Sequence, residues 1–281
     1  MPVELEKRYN IEILSIPLTV EGEPYQERKD FTPQQFCNLL LEVKSIPTTS
    51  HIPSPVFMER YEAAFAQECT DIIHLTINSK GSNMYTAALM ARDTFFEEHP
   101  EAKGRIHIHI LDSKTYSLAY AYALCCAAEM AEESRPVSEI LVFLDNFLNS
   151  VETYFSVYSL DFAKKSGRIS GAAAFVGDVL GLRPIMSIVD GDLKIIDKVR
   201  GDKNVVPQLA KIALRHRKPD TEYGVIRGIQ EGPARELTEL MKRETKKDPA
   251  ITTYVGSSVA INAGPKVVAV FVMGKNKKTG E

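Results

Sequence analysis

Apolar residues recur along this chain in two rhythms. Phe36, Leu39, Leu40 and Val43 stand at i, i+3, i+4 and i+7, the spacing that gathers side chains onto one face of a helix. Thr32-Pro33 supplies an N-cap and a proline at the first helical position, Gln35 completes a capping box, and Pro47 sets the end. Ser54-Pro55 caps a second predicted helix, with Phe57, Tyr61, Ala64 and Phe65 on one face. Residues 71–77 are then almost unbroken apolar, as in a parallel strand covered on both sides. A polar loop over 78–83, a helix over 84–98, a strand over 105–111 ending in Asp112-Ser113, and an Ala- and Tyr-rich helix to 133 follow. Strand, loop and helix in alternation predict a doubly wound, mainly parallel α/β unit, whose ligands lie at the carboxyl ends of the strands. An earlier strand is expected over 11–20, with Pro17 at its edge and a turn at Glu21-Gly22-Glu23.

After Pro136 the pattern changes. A helix over 138–149 leads into a strand over 151–157, a basic turn over 164–170 and a small-residue helix to Gly181. Residues 185–189 and 193–199 flank Asp190-Gly191, a strong hairpin signal. Helices are expected over 204–217 and 233–247, and strands over 223–227, 252–261 and 266–273. Hairpins mixed with helices predict an α+β unit with a mainly antiparallel sheet. Two domains are therefore expected, residues 1–150 and 151–281, which is also what a length of 281 suggests.

Composition excludes more than it assigns. A net charge of −3 and a pI near 6.1 argue against a nucleic-acid partner. Cys37, Cys69, Cys125 and Cys126 lack metal or redox spacing and read as reduced cysteines. No apolar run reaches the length of a membrane span, and a soluble, cytoplasmic protein is expected. His107 and His109 share a strand face without a third ligand, and neither a P-loop, a GxGxxG nor a GxSxG occurs, so no metal or cofactor is expected.

The candidate chemistry lies in two hydroxyl-rich loops. Pro47-Thr48-Thr49-Ser50 precedes Ser54-Pro55, and Ser79 to Ser82 follows the strand over 71–77. Clustered hydroxyls hold an anionic head group by hydrogen bonding without a counter-charge, although Ser and Thr also serve as turn and cap residues. If both loops end at one sheet edge, Thr49 or Ser50 converges with Ser82 on a point that suits a single carboxylate. Arg168 is a candidate anion or partner contact, or a solvated turn residue, and Lys198 and Arg200 close the Asp190-Gly191 hairpin.

In order along the chain, Ile16-Pro17-Leu18-Thr19-Val20, Pro47-Thr48-Thr49-Ser50 with Pro53-Ser54-Pro55, Ile77-Asn78-Ser79 with Ser82 and Tyr85, Asp112-Ser113, Gly167-Arg168-Ile169-Ser170, Arg183-Pro184-Ile185, Asp190-Gly191 and Lys198-Val199-Arg200 resemble the motifs of the DegV family of bacterial fatty-acid-binding proteins. The resemblance implies a long-chain fatty acid between two domains, its carboxylate held at Thr49 or Ser50 and Ser82, with Asn83 and Asn262 beside it. It also implies a carrier without catalysis of its own, presenting the acid to a fatty acid kinase. Three departures stand out. The family's opening strand and Thr-Asp-Ser turn have no counterpart before Met1-Pro2-Val3; Ser82-Asn83-Met84 replaces a Ser-Gly-Thr; and Asn262 stands where a His is implied to assist phosphoryl transfer. The competing reading is a hydrolase, or an acyl- or phosphoryl-transfer enzyme, using the same loops with His51 or His74 as general base.

Overall fold

A computed structural model describes residues 1–167 and 181–275. The chain opens with α1 (Val3–Arg8), β1 (Pro17–Val20), β2 (Glu23–Gln26), α2 (Pro33–Glu42), β3 (Thr48–Thr49), α3 (Ser54–Ala66), β4 (Asp71–Thr76), α4 (Met84–Glu98), β5 (His107–Asp112), α5 (Leu118–Glu132) and α6 (Val137–Ser150). It continues with β6 (Val151–Val157), α7 (Asp161–Ser166), β7 (Leu182–Val189), β8 (Asp192–Arg200), α8 (Val205–His216), β9 (Tyr223–Arg227), α9 (Glu231–Thr245), β10 (Ile251–Tyr254), α10 (Ser257–Ala263) and β11 (Val267–Met273).

The molecule is mixed α/β. Among the described residues β4 and β5 form a parallel two-stranded ladder, and β2-β1-β3 an antiparallel three-stranded sheet. The third sheet has six strands in the order β10-β9-β11-β6-β7-β8, antiparallel except for the β10–β9 pair. Sequence signals explain the local choices. Thr32 and Gln35 form the reciprocal capping box of α2, whose Phe36, Cys37 and Leu40 are buried. The Asp190-Gly191 turn joins β7 to β8, with Asp190 and Gly191 both at positive φ.

One apolar cluster spans both halves of the chain, joining Leu18, Phe36, Leu118 and Leu144 to Phe155, Ala269 and Phe271 on one face of the six-stranded sheet. The other face carries α8 and α9 through Leu209, Leu237, Val225 and Val270. A third cluster packs α3 against α4 and β5 through Phe57, Tyr61, Phe95 and Ile108.

Several expectations need correction. The early strand is confined to Pro17–Val20: Pro17 has no N–H to donate and begins the ladder, while Leu14 and Ile16 before it are packing residues. Ser54 is not a cap; Pro53 precedes the first turn and no side chain caps it. Lys164 and Lys165 lie in the last turn of α7 rather than in a turn, whereas Arg168 and the small-residue helix to Gly181 lie outside the described residues. The strand expected over 252–261 stops at Tyr254, and Ser257–Ala263 is helical. Gly256, with extended backbone, lets the chain turn into α10, and the Glu27 carboxylate accepts the Ser258 N–H of its first turn.

Candidate functional site

A cavity of about 700 Å³ opens between the hydroxyl loops and the six-stranded sheet. The first loop is held by backbone pairing: Thr49 pairs with Leu18, Thr48 with Thr19, and the Ser50 N–H donates to the Pro17 carbonyl at 3.0 Å. Neighbouring strand residues face opposite ways, so Thr49 lines the cavity while Thr48 does not. The first hydroxyl run is thus a short strand of the antiparallel sheet, not a loop at the end of the parallel one.

The second loop is pinned by Asn78, which is fully buried. Its amide donates to Tyr116 Oη at 2.9 Å and to the Gly191 carbonyl at 2.8 Å. Asp112, at the end of β5, accepts the Ser79 N–H and hydroxyl. Lys80 reaches across to Asp192 at 2.7 Å and to the Asp190 carbonyl at 3.1 Å, so its charge is paired with the hairpin. Gly81 has no side chain because the Tyr116 hydroxyl occupies the place a Cβ would take. Ser82 Oγ accepts the Met84 N–H at 3.4 Å, which leaves its own O–H to donate into the cavity.

Helix α10 supplies the facing wall. Ser258 donates its N–H and hydroxyl to Glu27 at 3.0 and 3.2 Å, and Asn262, one turn on, donates to the Ser258 carbonyl at 2.7 Å. Burial pushes the Glu27 carboxyl above its usual range, while the two bonds from Ser258 oppose the rise.

The floor is apolar and follows from strand register. Ile226, Ala269 and Phe155 are paired across β9, β11 and β6, and the small Ala269 leaves a trough between two large neighbours. Thr153, Ile188 and Leu193 form the next row across β6, β7 and β8.

The structure thus brings Thr49, Ser50, Ser82, Asn83 and Asn262 to one cavity. Arg200 is exposed at the end of β8 and does not line it, and Arg168 lies outside the described residues. His51 is at the rim, but His74 is elsewhere, bonded to Tyr61 Oη at 2.6 Å and packed edge-on to Phe57. His109 bonds Asp71 and lowers its carboxyl pKa. Sequence reading missed Tyr116, Ser117, Thr153 and Ser258 in the lining. The run after Asp112-Ser113 was a usable signal for the first two, because it repeats the strand-end hydroxyl pattern of the loops. Neutral donors above a largely apolar floor can hold a monoanionic amphiphile by its head group and bury its chain.

Comparison with known proteins agrees in fold. The family model described as "Uncharacterised protein, DegV family" matches residues 1–275. A DegV domain-containing protein of Clostridium perfringens is 28% identical over 275 residues, 96% of this chain and 94% of the relative. The crystal structure of a stearic acid-binding protein from Eubacterium ventriosum superposes with a TM-score of 0.86 at 21% identity, covering 98% of this chain and 95% of the other. The fatty acid kinase B3 protein of Streptococcus pneumoniae, loaded with linoleic acid, superposes with a TM-score of 0.81 at 15% identity, covering 93% and 90%.

Proposed function

Because the chain belongs to the DegV family, we propose that it is a non-catalytic carrier that holds a long-chain fatty acid in this cavity. The carboxylate lies with Thr49, Ser50, Ser82, Asn83 and Asn262, and the tail lies along the trough over Ala269. The observation that carries this reading is the division of one cavity into a rim rich in hydroxyls and amides and a largely apolar floor. Buried methylenes contribute ~0.8 kcal/mol each, so the tail supplies on the order of 10 kcal/mol before association entropy is subtracted. The hydroxyls add orientation. The relatives named for stearic and linoleic acid support the same ligand class.

Residues 1–150 then form the body that carries the hydroxyl loops, and residues 151–281 the body that carries the tail. The pneumococcal relative is named for a fatty acid kinase, and a cytoplasmic enzyme of that kind is the proposed partner, with Arg168 and exposed Arg200 as candidate contacts. No described helix is long and apolar enough to cross a membrane. The test is displacement of a fluorescent acyl probe from delipidated protein. Saturable competition by stearic or oleic acid at one site is expected; probe binding that neither acid displaces would overturn the assignment.

A further inference from the structure

The cavity has polar groups at two separate places, and a fatty acid with one carboxylate uses only one of them. The first group is Thr49 and Ser50 with Ser82, Asn83 and Asn262. The second lies around Thr153, a hydroxyl on the floor. Asn262 sits at the end of α10, shortly before Val267 begins β11, whereas Thr153 pairs with Phe271, four residues further along that strand. From Val267 to Phe271 the strand rises on the order of 13 Å.

Thr153 is 2% exposed and lines the cavity between Phe155 and Ile188. Among the described residues its hydroxyl has one partner, Thr115 Oγ1, at 3.5 Å. A good hydroxyl pair sits at roughly 2.7–2.8 Å, so the contact satisfies Thr153 poorly. A buried hydroxyl without a good partner is unfavourable, and a valine would fill the same space without that penalty. A plain hydrocarbon passing this point leaves the hydroxyl with only the long Thr115 contact. An oxygen on the chain satisfies it.

We propose that Thr153 forms a second polar subsite within the cavity, and that the protein takes an acyl chain bearing a hydroxyl or keto oxygen part-way along its length. This rests on the fatty-acid reading above and narrows its ligand class. The Thr153 hydroxyl bonds the chain oxygen, while the carboxylate stays with Thr49 and Ser82.

The test compares stearic acid with mid-chain hydroxystearic acids in calorimetric titrations of wild type, Thr153→Val and Thr153→Ser. Wild type and Thr153→Ser are expected to favour a hydroxylated chain by about fivefold or more, the worth of one hydrogen bond. Thr153→Val is expected to lose that preference and to bind stearic acid at least as tightly as wild type. An equal loss of affinity for both acids in Thr153→Val would place the carboxylate at Thr153 and overturn the subsite. Equal affinity of wild type for both acids would overturn it too, with fatty-acid binding intact. Binding of neither acid to folded wild type would overturn the carrier reading and the subsite with it.

Discussion

Ser82 holds its place by accepting one backbone N–H, and its remaining donor faces the cavity. Removing that donor from a charge-assisted bond costs ~1–2 kcal/mol, or roughly five- to thirtyfold in Kd. Ser82→Ala is therefore expected to weaken fatty-acid binding by that factor in calorimetry, while unchanged affinity would move the head group elsewhere. Asn262 has an amide that bonds but does not titrate near neutral pH. Asn262→His is expected to leave fatty-acid affinity within about threefold and to raise the rate at which a fatty acid kinase phosphorylates the bound acid, read by acyl-phosphate formation. A slower rate, or none gained, would deny that position a role in transfer. At this scale the sequence was readable where hydroxyls stand side by side, as in Thr48-Thr49-Ser50 and around Ser82. It was opaque where a single polar residue serves. Thr153 is one of three hydroxyl residues, with Tyr154 and Ser156, in a fully buried strand, and Ser258 meets Glu27 across 231 positions of chain, a contact no local pattern reveals.

Elements carry the positions of these residues, and two of them offer direct tests. His74 lies in β4 against Phe57 and Tyr61 of α3, and burial pushes its pKa down from 6.5 to about 4. The folded state thus holds the neutral ring and binds the proton less readily than the unfolded chain. Its contribution is complete above pH 6.5 and is lost as pH falls toward 4, amounting to roughly 3 kcal/mol at ~1.4 kcal/mol per unit. Urea unfolding is expected to show His74→Phe losing less stability than wild type over that interval; parallel curves would contradict it. In the β7–β8 hairpin, Gly191 has φ +76°, and a Cβ there would meet Asn78 Oδ1 at 2.7 Å. Gly191→Ala is expected to cost about 1–3 kcal/mol in the same assay, from backbone strain and loss of the Asn78 contact; a neutral result would mean that the hairpin does not depend on that contact. Elements with caps and clear periods, such as α2, were plain in the sequence. Helix α10 was not, because its Val259 and Ile261 fit an extended reading as well as a helical one, and Gly256 with Glu27 decides between them.

The whole molecule joins a hydroxyl-bearing α/β half to a six-stranded sheet through one shared apolar cluster. The cavity lies where that packing is left open, between the loops and the trough over Ala269. The mixed α/β class follows from the order of strand and helix patterns. The cavity itself follows from register, which fixes Ile226, Ala269 and Phe155 in one row and which no periodicity in a single strand conveys. A ligand that binds only the folded protein stabilises it by RT ln(1 + [L]/Kd), ~2.7 kcal/mol at a hundredfold excess over Kd. Retention of the lipid through purification then requires slow dissociation. Native mass spectrometry of protein purified without added lipid tests this most directly. The expected result is a complex heavier than the chain by the mass of one fatty acid, released intact on denaturation. An empty protein, recovered repeatedly from cells that contain free fatty acid, would contradict it.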